Sequence, residues 1–163
     1  MHRFPVLAAL AALAAPLTAP ACRAPAAPGD TGVVVRVTDG DTIVVAIGGR
    51  EENVRLLGID TPEVHTDDGA PECFGPDASA FTASLLPAGT TVRLERDVVG
   101  RDDYGRLLAY VYAGDVLVNE VIVARGYATP LSIEPNTTFA RRFADAARAA
   151  EAADLGLWSA CAG

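Results

Sequence analysis

The stretch that decides the fold is VVVRVTDGDTIVVAIGGREENVRLLGI, residues 33–59. The runs Val33–Thr38 and Thr42–Ile47 are rich in β-branched residues, and Asp39-Gly40-Asp41 between them is typical of a tight turn. A Gly-Gly pair then turns the chain into a third apolar run, Asn53–Ile59. Three consecutive strands joined by short turns predict an antiparallel meander.

Further elements follow this meander. The spacing of apolar residues, proline and glycine predicts two more strands, at 91–96 and 106–113, and three helices. The helices are expected at 76–86, at 118–125, and from a Thr137 or Thr138 cap through Ala153. The fold class is therefore predicted as α+β with a mainly β core: a small closed five-stranded barrel with three packed helices.

Composition describes an ordinary folded protein with an acidic balance. The chain has 163 residues, 50% of them hydrophobic, and a formal net charge of −8. That length suits one domain, and this charge content argues against a disordered chain. A protein that coats nucleic acid nonspecifically usually has a basic surface, so this class is disfavoured. Any chemistry on nucleic acid would depend on a few well-placed arginines.

The N-terminal segment predicts export. Residues 1–21 combine Arg3, an apolar stretch and the small-residue pattern Ala19-Pro20-Ala21, as secretory signals do. The apolar run is too short to span a bilayer. Cys22 leaves two alternatives open, a lipoprotein lipidated at that cysteine or a freely secreted protein. Residues 22–31 are expected to form a flexible tether, followed by one domain over 32–161.

Two cysteines remain for pairing if Cys22 is lipidated or removed. Outside the cytosol, paired cysteines are usually oxidised, so a disulfide between Cys73 and Cys161 is predicted. Two free thiols are the alternative. A metal site at these positions is disfavoured because two isolated cysteines lack the spacing of metal ligands.

Charged side chains are concentrated in three short segments, 39–42, 55–63 and 101–106. Taken singly, each segment is compatible with an ordinary turn or helix cap. Together they supply carboxylate oxygens, which suit Ca²⁺ or Mg²⁺, and arginines, one of which (Arg55) interrupts an apolar strand. A hard cation, two arginines and a carboxylate are the groups needed to hydrolyse a phosphodiester.

Six ordered blocks make the chain resemble the staphylococcal nuclease-like (thermonuclease) family from about Val33 to Trp158. The resemblance implies an OB-fold barrel with three helices, and Ca²⁺-dependent cleavage of DNA and RNA that leaves 3′-phosphate ends. The blocks are Asp39–Thr42, Arg55–Glu63, Gly75–Ser79, Asp102–Tyr112, Val118–Glu120 and Leu157–Ser159.

The resemblance also implies a metal-binding set. Asp41 and Asp60 match the carboxylates that bind one Ca²⁺ ion, and Thr61 matches the position that binds it through the backbone carbonyl. Asp39 matches a position near the ion that does not bind it directly.

The implied catalytic and substrate-binding residues lie in the same blocks. Glu63 matches the proposed general base, which orients or deprotonates the attacking water. Arg55 and Arg106 match the two phosphate-binding arginines, with Arg106 nearer the leaving 5′-oxygen. A planar guanidinium can hold two phosphoryl oxygens at once, so lysine is a poor replacement. Tyr104 matches a residue that hydrogen-bonds a terminal phosphate.

Two features depart from the family pattern, one residue and one loop. Asp103 stands where the type member has a lysine, so repulsion replaces a phosphate contact. The loop 129–134 lacks the tyrosines that pack against a nucleotide base. Stacking of a base on an aromatic ring contributes about 1–3 kcal/mol, so weaker substrate binding with intact phosphate chemistry is expected.

Two other functions compete with a nuclease. The first is an OB-fold module that has lost turnover and only binds nucleic acid or protein. The second is a structural envelope lipoprotein, which rests on the signal segment alone. The chain retains the complete set Asp41, Arg55, Asp60, Glu63 and Arg106, which favours the enzyme. A monomer is expected.

Overall fold

The structure is a computed structural model that describes residues 30–66 and 69–161. The predicted signal segment 1–21 and Cys22 lie outside the described residues. The first strand begins at Asp30, two residues before the predicted start of the domain. Asp30 pairs with Leu94 and Thr31 pairs with Arg93, so the last two residues of the predicted tether belong to the sheet.

Five long strands form the barrel. The strands of the described residues are β1 (Asp30–Asp39), β2 (Thr42–Ile47), β3 (Arg50–Leu56), β4 (Ile59–Asp60), β5 (Thr91–Glu95), β6 (Leu107–Ala113), β7 (Val116–Leu117) and β8 (Thr129–Pro130). The barrel sheet has the strand order β3-β2-β1-β5-β6-β7, and a parallel pairing of β3 with β6 closes it. Strand β4 pairs with β8 in a separate two-stranded sheet.

Helices pack against one side of this barrel. They are α1 (Gly75–Leu85), α2 (Val118–Ala124), α3 (Ala140–Ala152) and the single turn α4 (Leu157–Ala160). The core joins barrel residues such as Leu56 to helix residues such as Ile122 and Phe143, all fully buried. Each such side chain contributes about 1.5–3 kcal/mol on burial. The predicted α+β class, a five-stranded OB-fold barrel with packed helices, is confirmed. Among the described residues no helix is long and apolar enough to cross a membrane.

The third strand begins and ends three residues earlier than predicted. A continuous strand over 53–59 was expected, but β3 ends at Leu56 and the chain turns through Gly58 before β4. Gly58 has a φ of 78°, and a Cβ there would lie 2.6 Å from the Phe143 ring. The turn therefore follows from the close approach of α3, which a local pattern of apolar residues does not reveal.

Helix α3 is capped differently from the prediction. Neither Thr137 nor Thr138 caps it; the helix begins at Ala140, after Phe139, with no side-chain cap. The Thr138 hydroxyl and amide instead donate to Asp97, which also accepts from the Tyr110 hydroxyl. Burial alone would raise the pKa of Asp97, but these hydrogen bonds outweigh it and the pKa is lowered.

The structure joins Cys73 and Cys161 through a disulfide bond. Their Cα atoms are 5.9 Å apart, and 88 positions separate them in sequence. The bond links the segment that precedes α1 to the residue that follows α4. Both cysteines are exposed, so thiol reagents can reach the bond.

Reduction of this bond is expected to lower the free energy of unfolding by about 4–5 kcal/mol, because the unfolded chain regains the freedom of a long loop. Urea unfolding with and without a dithiol reductant measures the loss. The Cys73→Ser/Cys161→Ser variant serves as the control and should not respond to reductant. Equal transition midpoints for oxidised and reduced wild-type protein would contradict the expectation.

Candidate active site

The turn between β1 and β2 places Asp41 beside Arg55. Asp39 pairs with Thr42 to close a turn around Gly40 and Asp41. On the other side of β2, Thr42 pairs with Arg55 of β3. As a result the Asp41 carboxylate lies 3.0 Å from the Arg55 guanidinium, Oδ2 to Nη2. Strand register thus brings together the first ion pair of the site.

Close packing fixes the same turn. A Cβ on Gly40 would lie 2.6 Å from the Thr61 hydroxyl oxygen, so only glycine fits without displacement. The hydroxyl of Thr82, fully buried in α1, donates to the Gly40 carbonyl at 2.6 Å. The Thr61 amide donates to Asp41 Oδ2 at 3.1 Å. These contacts fix three parts of the chain relative to one another: the turn between β1 and β2, the segment that begins at Thr61, and helix α1.

Arg55 brings the two predicted metal carboxylates together. Its Nη1 donates to the carbonyls of Leu56 and Ile59, each at 2.8 Å, which fixes the head group. Its Nη2 lies 2.9 Å from Asp60 Oδ1 as well as 3.0 Å from Asp41. Only 15% of the Arg55 side chain is exposed, so the pairing is largely shielded from solvent.

The electrostatics of this pair suit a hard cation. Burial raises the pKa of Asp41, and Arg55, the Thr61 amide and Thr42 only partly offset that cost. The Asp60 side chain is half exposed. A second cation beside the two carboxylates would stabilise their charged forms.

The donor set fits Ca²⁺ or Mg²⁺ better than a softer metal. Within residues 30–66 and 69–161, no three His, Cys, Asp or Glu side chains are grouped as a metal cluster. Two carboxylates, supplemented by a backbone carbonyl and water, are oxygen donors of the kind these cations bind. The Thr61 hydroxyl is also buried with no hydrogen-bond partner among those residues, so this wall of the site has an unused polar atom.

Glu63 lies next to Asp39. A hydrogen bond to the Asp39 side chain, with further contributions from burial and from the charges of Asp39, Asp41 and Asp60, raises the pKa of Glu63 to about 7. Asp39 was predicted to lie near the ion, and in the structure its side chain also contacts Glu63. The predicted base and three of the four predicted metal-site residues therefore interact electrostatically.

Glu72 holds the backbone of Glu63, which was not anticipated from the sequence. Its carboxylate accepts from the Glu63 amide at 2.9 Å, and its amide donates to the Glu63 carbonyl at 2.9 Å. Neither charge pattern nor local spacing singles out Glu72, since the intervening loop is long. Thr82 was missed for the same reason.

The loop before β6 positions Arg106. Its Nε donates to Asp102 Oδ2 at 2.7 Å, and its backbone amide donates to Asp102 Oδ1 at 2.9 Å. Burial would raise the pKa of Asp102, but the bonds to Arg106 outweigh it and lower the pKa. Tyr104 is 87% exposed, with its ring 5.5 Å from the Arg106 guanidinium carbon.

Arg55 and Arg106 line the same cleft, which has a volume of about 520 Å³. They are distant in sequence, and the parallel pairing of Val54 with Leu107 that closes the barrel brings them to one side. Tyr104 lies on the same cleft. The remaining wall is largely aliphatic and its rim is acidic, with Val99, Leu131, Ile133, Asp103 and Glu134 among the lining residues.

Comparison with known proteins matches this chain to one family. Residues 53–160 match the staphylococcal nuclease homologue family. The chain is 38% identical over 126 residues to the thermonuclease of Staphylococcus hyicus, covering 77% of this chain and 74% of that protein. The chain belongs to the staphylococcal nuclease family.

Two further relatives agree. The thermonuclease of Staphylococcus intermedius is 38% identical over 130 residues, covering 80% of this chain and 77% of that protein. The endonuclease YncB of Bacillus subtilis (strain 168) is 38% identical over 126 residues, covering 76% of this chain and 59% of that protein. The predicted family is confirmed, and the chain is a nuclease of that family.

Proposed function

We propose that this nuclease hydrolyses the phosphodiester bonds of DNA and RNA in a Ca²⁺-dependent reaction that leaves 3′-phosphate ends. One observation carries the proposal. Arg55 contacts both Asp41 and Asp60, and it shares a cleft with Arg106. A cation site and two phosphate-binding guanidinium groups are therefore adjacent, as attack on a phosphodiester requires.

The metal would be held by three residues. The Asp41 and Asp60 carboxylates and the Thr61 backbone carbonyl are the proposed ligands, with Asp39 nearby. When bound, Ca²⁺ would neutralise charge on the phosphate and polarise a water molecule. Asp41 is nearly inaccessible to solvent while Asp60 is half exposed, so the proposed site opens toward solvent on the Asp60 side.

Glu63 is the proposed general base. Glu63 is an exposed residue, and its backbone is held at both polar atoms by Glu72. In the proposed step Glu63 accepts a proton from water, the water oxygen bonds to phosphorus, and the bond from phosphorus to the 5′-oxygen breaks. The released 5′-oxygen takes up a proton from solvent to form a hydroxyl, and Glu63 returns its proton to solvent. A base whose pKa lies near 7 is suited to this transfer at neutral pH.

The two arginines have different proposed roles. Arg55 is fixed through Nη1. Its Nη2, which contacts carboxylate oxygens in this structure, is the proposed donor to phosphoryl oxygens in the reaction. Arg106 is anchored through Nε to Asp102, which leaves its two terminal nitrogens to stabilise the departing 5′-oxygen. Tyr104 is proposed to hydrogen-bond a terminal phosphate.

The site of action follows from the N-terminal pattern. We propose that the protein is exported and acts as a monomer, either secreted or anchored through a lipidated Cys22. The disulfide between Cys73 and Cys161 supports an oxidising compartment.

The chemistry of the ends tests the reaction. A 5′-labelled single-stranded oligonucleotide cleaved with Ca²⁺ present should give fragments that a polymerase cannot extend until a phosphatase removes the 3′-phosphate. Fragments that are extended without phosphatase carry 3′-hydroxyl ends, and that result would overturn the proposed direction of attack.

Asp103→Lys is expected to lower KM by about three- to tenfold with little change in kcat, because it replaces a repulsive charge on the rim of the cleft by an attractive one. Steady-state cleavage of an oligonucleotide at low salt measures both constants. Asp115→Lys changes net charge equally on an exposed turn away from the cleft and should leave KM nearly unchanged. An unaltered KM for Asp103→Lys would contradict the assigned repulsion.

A further inference from the structure

The loop that carries Glu63 is closed on itself by Glu72. The side chain of Glu72 accepts from the Glu63 amide and the backbone of Glu72 donates to the Glu63 carbonyl, both at 2.9 Å. A Cβ on Gly75 would lie 2.4 Å from that same carbonyl oxygen, so the first residue of α1 also packs against Glu63. The backbone of the proposed base thus depends on residues nine and more positions away.

The disulfide fixes the residue next to Glu72. Cys73 is tied to Cys161, and α4, which precedes Cys161, is itself held by a bond from the Leu157 amide to the Gly126 carbonyl at 2.8 Å. Both cysteines line a cavity of about 340 Å³ together with Asp60, Thr61 and Glu72, among others. The disulfide and α4 therefore connect the loop that carries Glu63 to Gly126, just after the end of α2.

We propose that Glu72 is a positioning residue for Glu63 and that the Cys73–Cys161 disulfide holds Glu72 in place, so that turnover depends on the redox state of this bond. The inference rests on the proposed role of Glu63. Reduction by a dithiol transfers two electrons and two protons, breaking the sulfur–sulfur bond to give two thiols and an oxidised reductant. Both sulfurs belong to exposed residues.

The effect is expected in kcat and not in KM. A base displaced by about 1 Å loses a large part of its rate contribution, because proton transfer needs close alignment. None of the described residues of this segment, 63–66 and 69–75, lines the arginine cleft that would bind the substrate. Loosening this segment should therefore leave substrate binding almost intact.

Two substitutions at Glu72 separate positioning from general stability. Glu72→Ala removes the acceptor for the Glu63 amide and should lower kcat by about tenfold. Glu72→Gln keeps an acceptor oxygen and should restore most of the rate. Glu51→Ala is the matched control, because the Glu51 side chain lies exposed on β3 and forms an ion pair with Arg36. All rates are measured well below the unfolding temperature of each variant.

Hydrogen exchange of the Glu63 amide gives a readout that does not depend on activity. Its protection should be lost in Glu72→Ala, retained in Glu72→Gln and unchanged in Glu51→Ala. Equal loss of kcat in the Ala and Gln variants, or an unchanged kcat in Glu72→Ala, would overturn the positioning role.

The disulfide is tested in the full domain. Reduced wild-type protein and the Cys73→Ser/Cys161→Ser variant should both show about tenfold lower kcat with KM within about twofold of the oxidised protein. Adding Glu72→Ala to the double variant should change kcat little, since the two changes act on one element. Full kcat in the reduced protein, or additive losses in the triple variant, would overturn the link.

Failure of this inference is distinguishable from failure of the proposed function. If Glu63→Gln is inactive while Glu72→Ala retains full kcat, only the positioning role is wrong. If Glu63→Gln is fully active, the proposed base is wrong and Glu72 has no base to position.

Discussion

Glu63→Gln is expected to lower kcat by about 10²–10⁴-fold, the usual contribution of a positioned general base. The amide has nearly the same size and can still contact Asp39, but it cannot accept a proton from water. Because Glu63 is exposed and lies outside the arginine cleft, KM and the free energy of unfolding should change little.

Single-turnover cleavage of a labelled oligonucleotide measures the loss of rate directly. Glu134→Gln is the matched control, because it removes the same charge from the rim of the cleft and should alter kcat by less than about threefold. A Glu63→Gln variant that cleaves at the wild-type rate would remove Glu63 from the reaction and leave water activation to another group.

Removal of Ca²⁺ is the second large expected effect. A cation that neutralises phosphate charge contributes several kcal/mol to the transition state, so chelation should lower cleavage by about 10³-fold or more. Excess Ca²⁺ should restore the rate fully. The fold is expected to persist, because Arg55 forms ion pairs with both Asp41 and Asp60.

Circular dichroism in chelator checks that persistence, and the cleavage assay is run on the same samples. An undiminished rate after chelation would exclude the cation from the reaction. Loss of rate together with loss of structure would instead assign the cation a structural role, contrary to the expectation.

The barrel was predictable because its strands are encoded locally. Runs of β-branched residues and a turn at Asp39-Gly40-Asp41 specify β1 and β2, and their register carries Asp41 to the side of Arg55. The ion pair at the centre of the site therefore follows from local sequence and strand geometry. The family blocks then supply roles that spacing alone does not give.

Contacts between distant segments were not predictable. The break after Leu56 depends on Phe143 packing onto Gly58, and the missing cap of α3 depends on Thr138 bonding to Asp97. In both cases a tertiary contact competes with a local preference and prevails. Local sequence patterns reveal neither contact, because the partners come together only in the folded protein.

The residues that hold the site in place were not predictable for the same reason. Glu72 and Thr82 act on Glu63 and Gly40 across long stretches of chain, and neither belongs to a recognisable motif. The hydrogen bond between Asp39 and Glu63 was not predictable either. The two side chains meet only when the fold places the turn after β1 beside the loop that carries Glu63.

Calorimetric titration of Ca²⁺ into wild-type protein and into Asp60→Ala tests the central claim most directly, since the claim is that one ion is held by Asp41 and Asp60 beside Arg55. Glu134→Ala serves as a control that removes a carboxylate from the cleft without touching the proposed ligands. We predict one Ca²⁺ per chain in the wild type and in Glu134→Ala, and no measurable binding in Asp60→Ala. Unchanged Ca²⁺ binding in Asp60→Ala, or none in the wild type, would contradict the account.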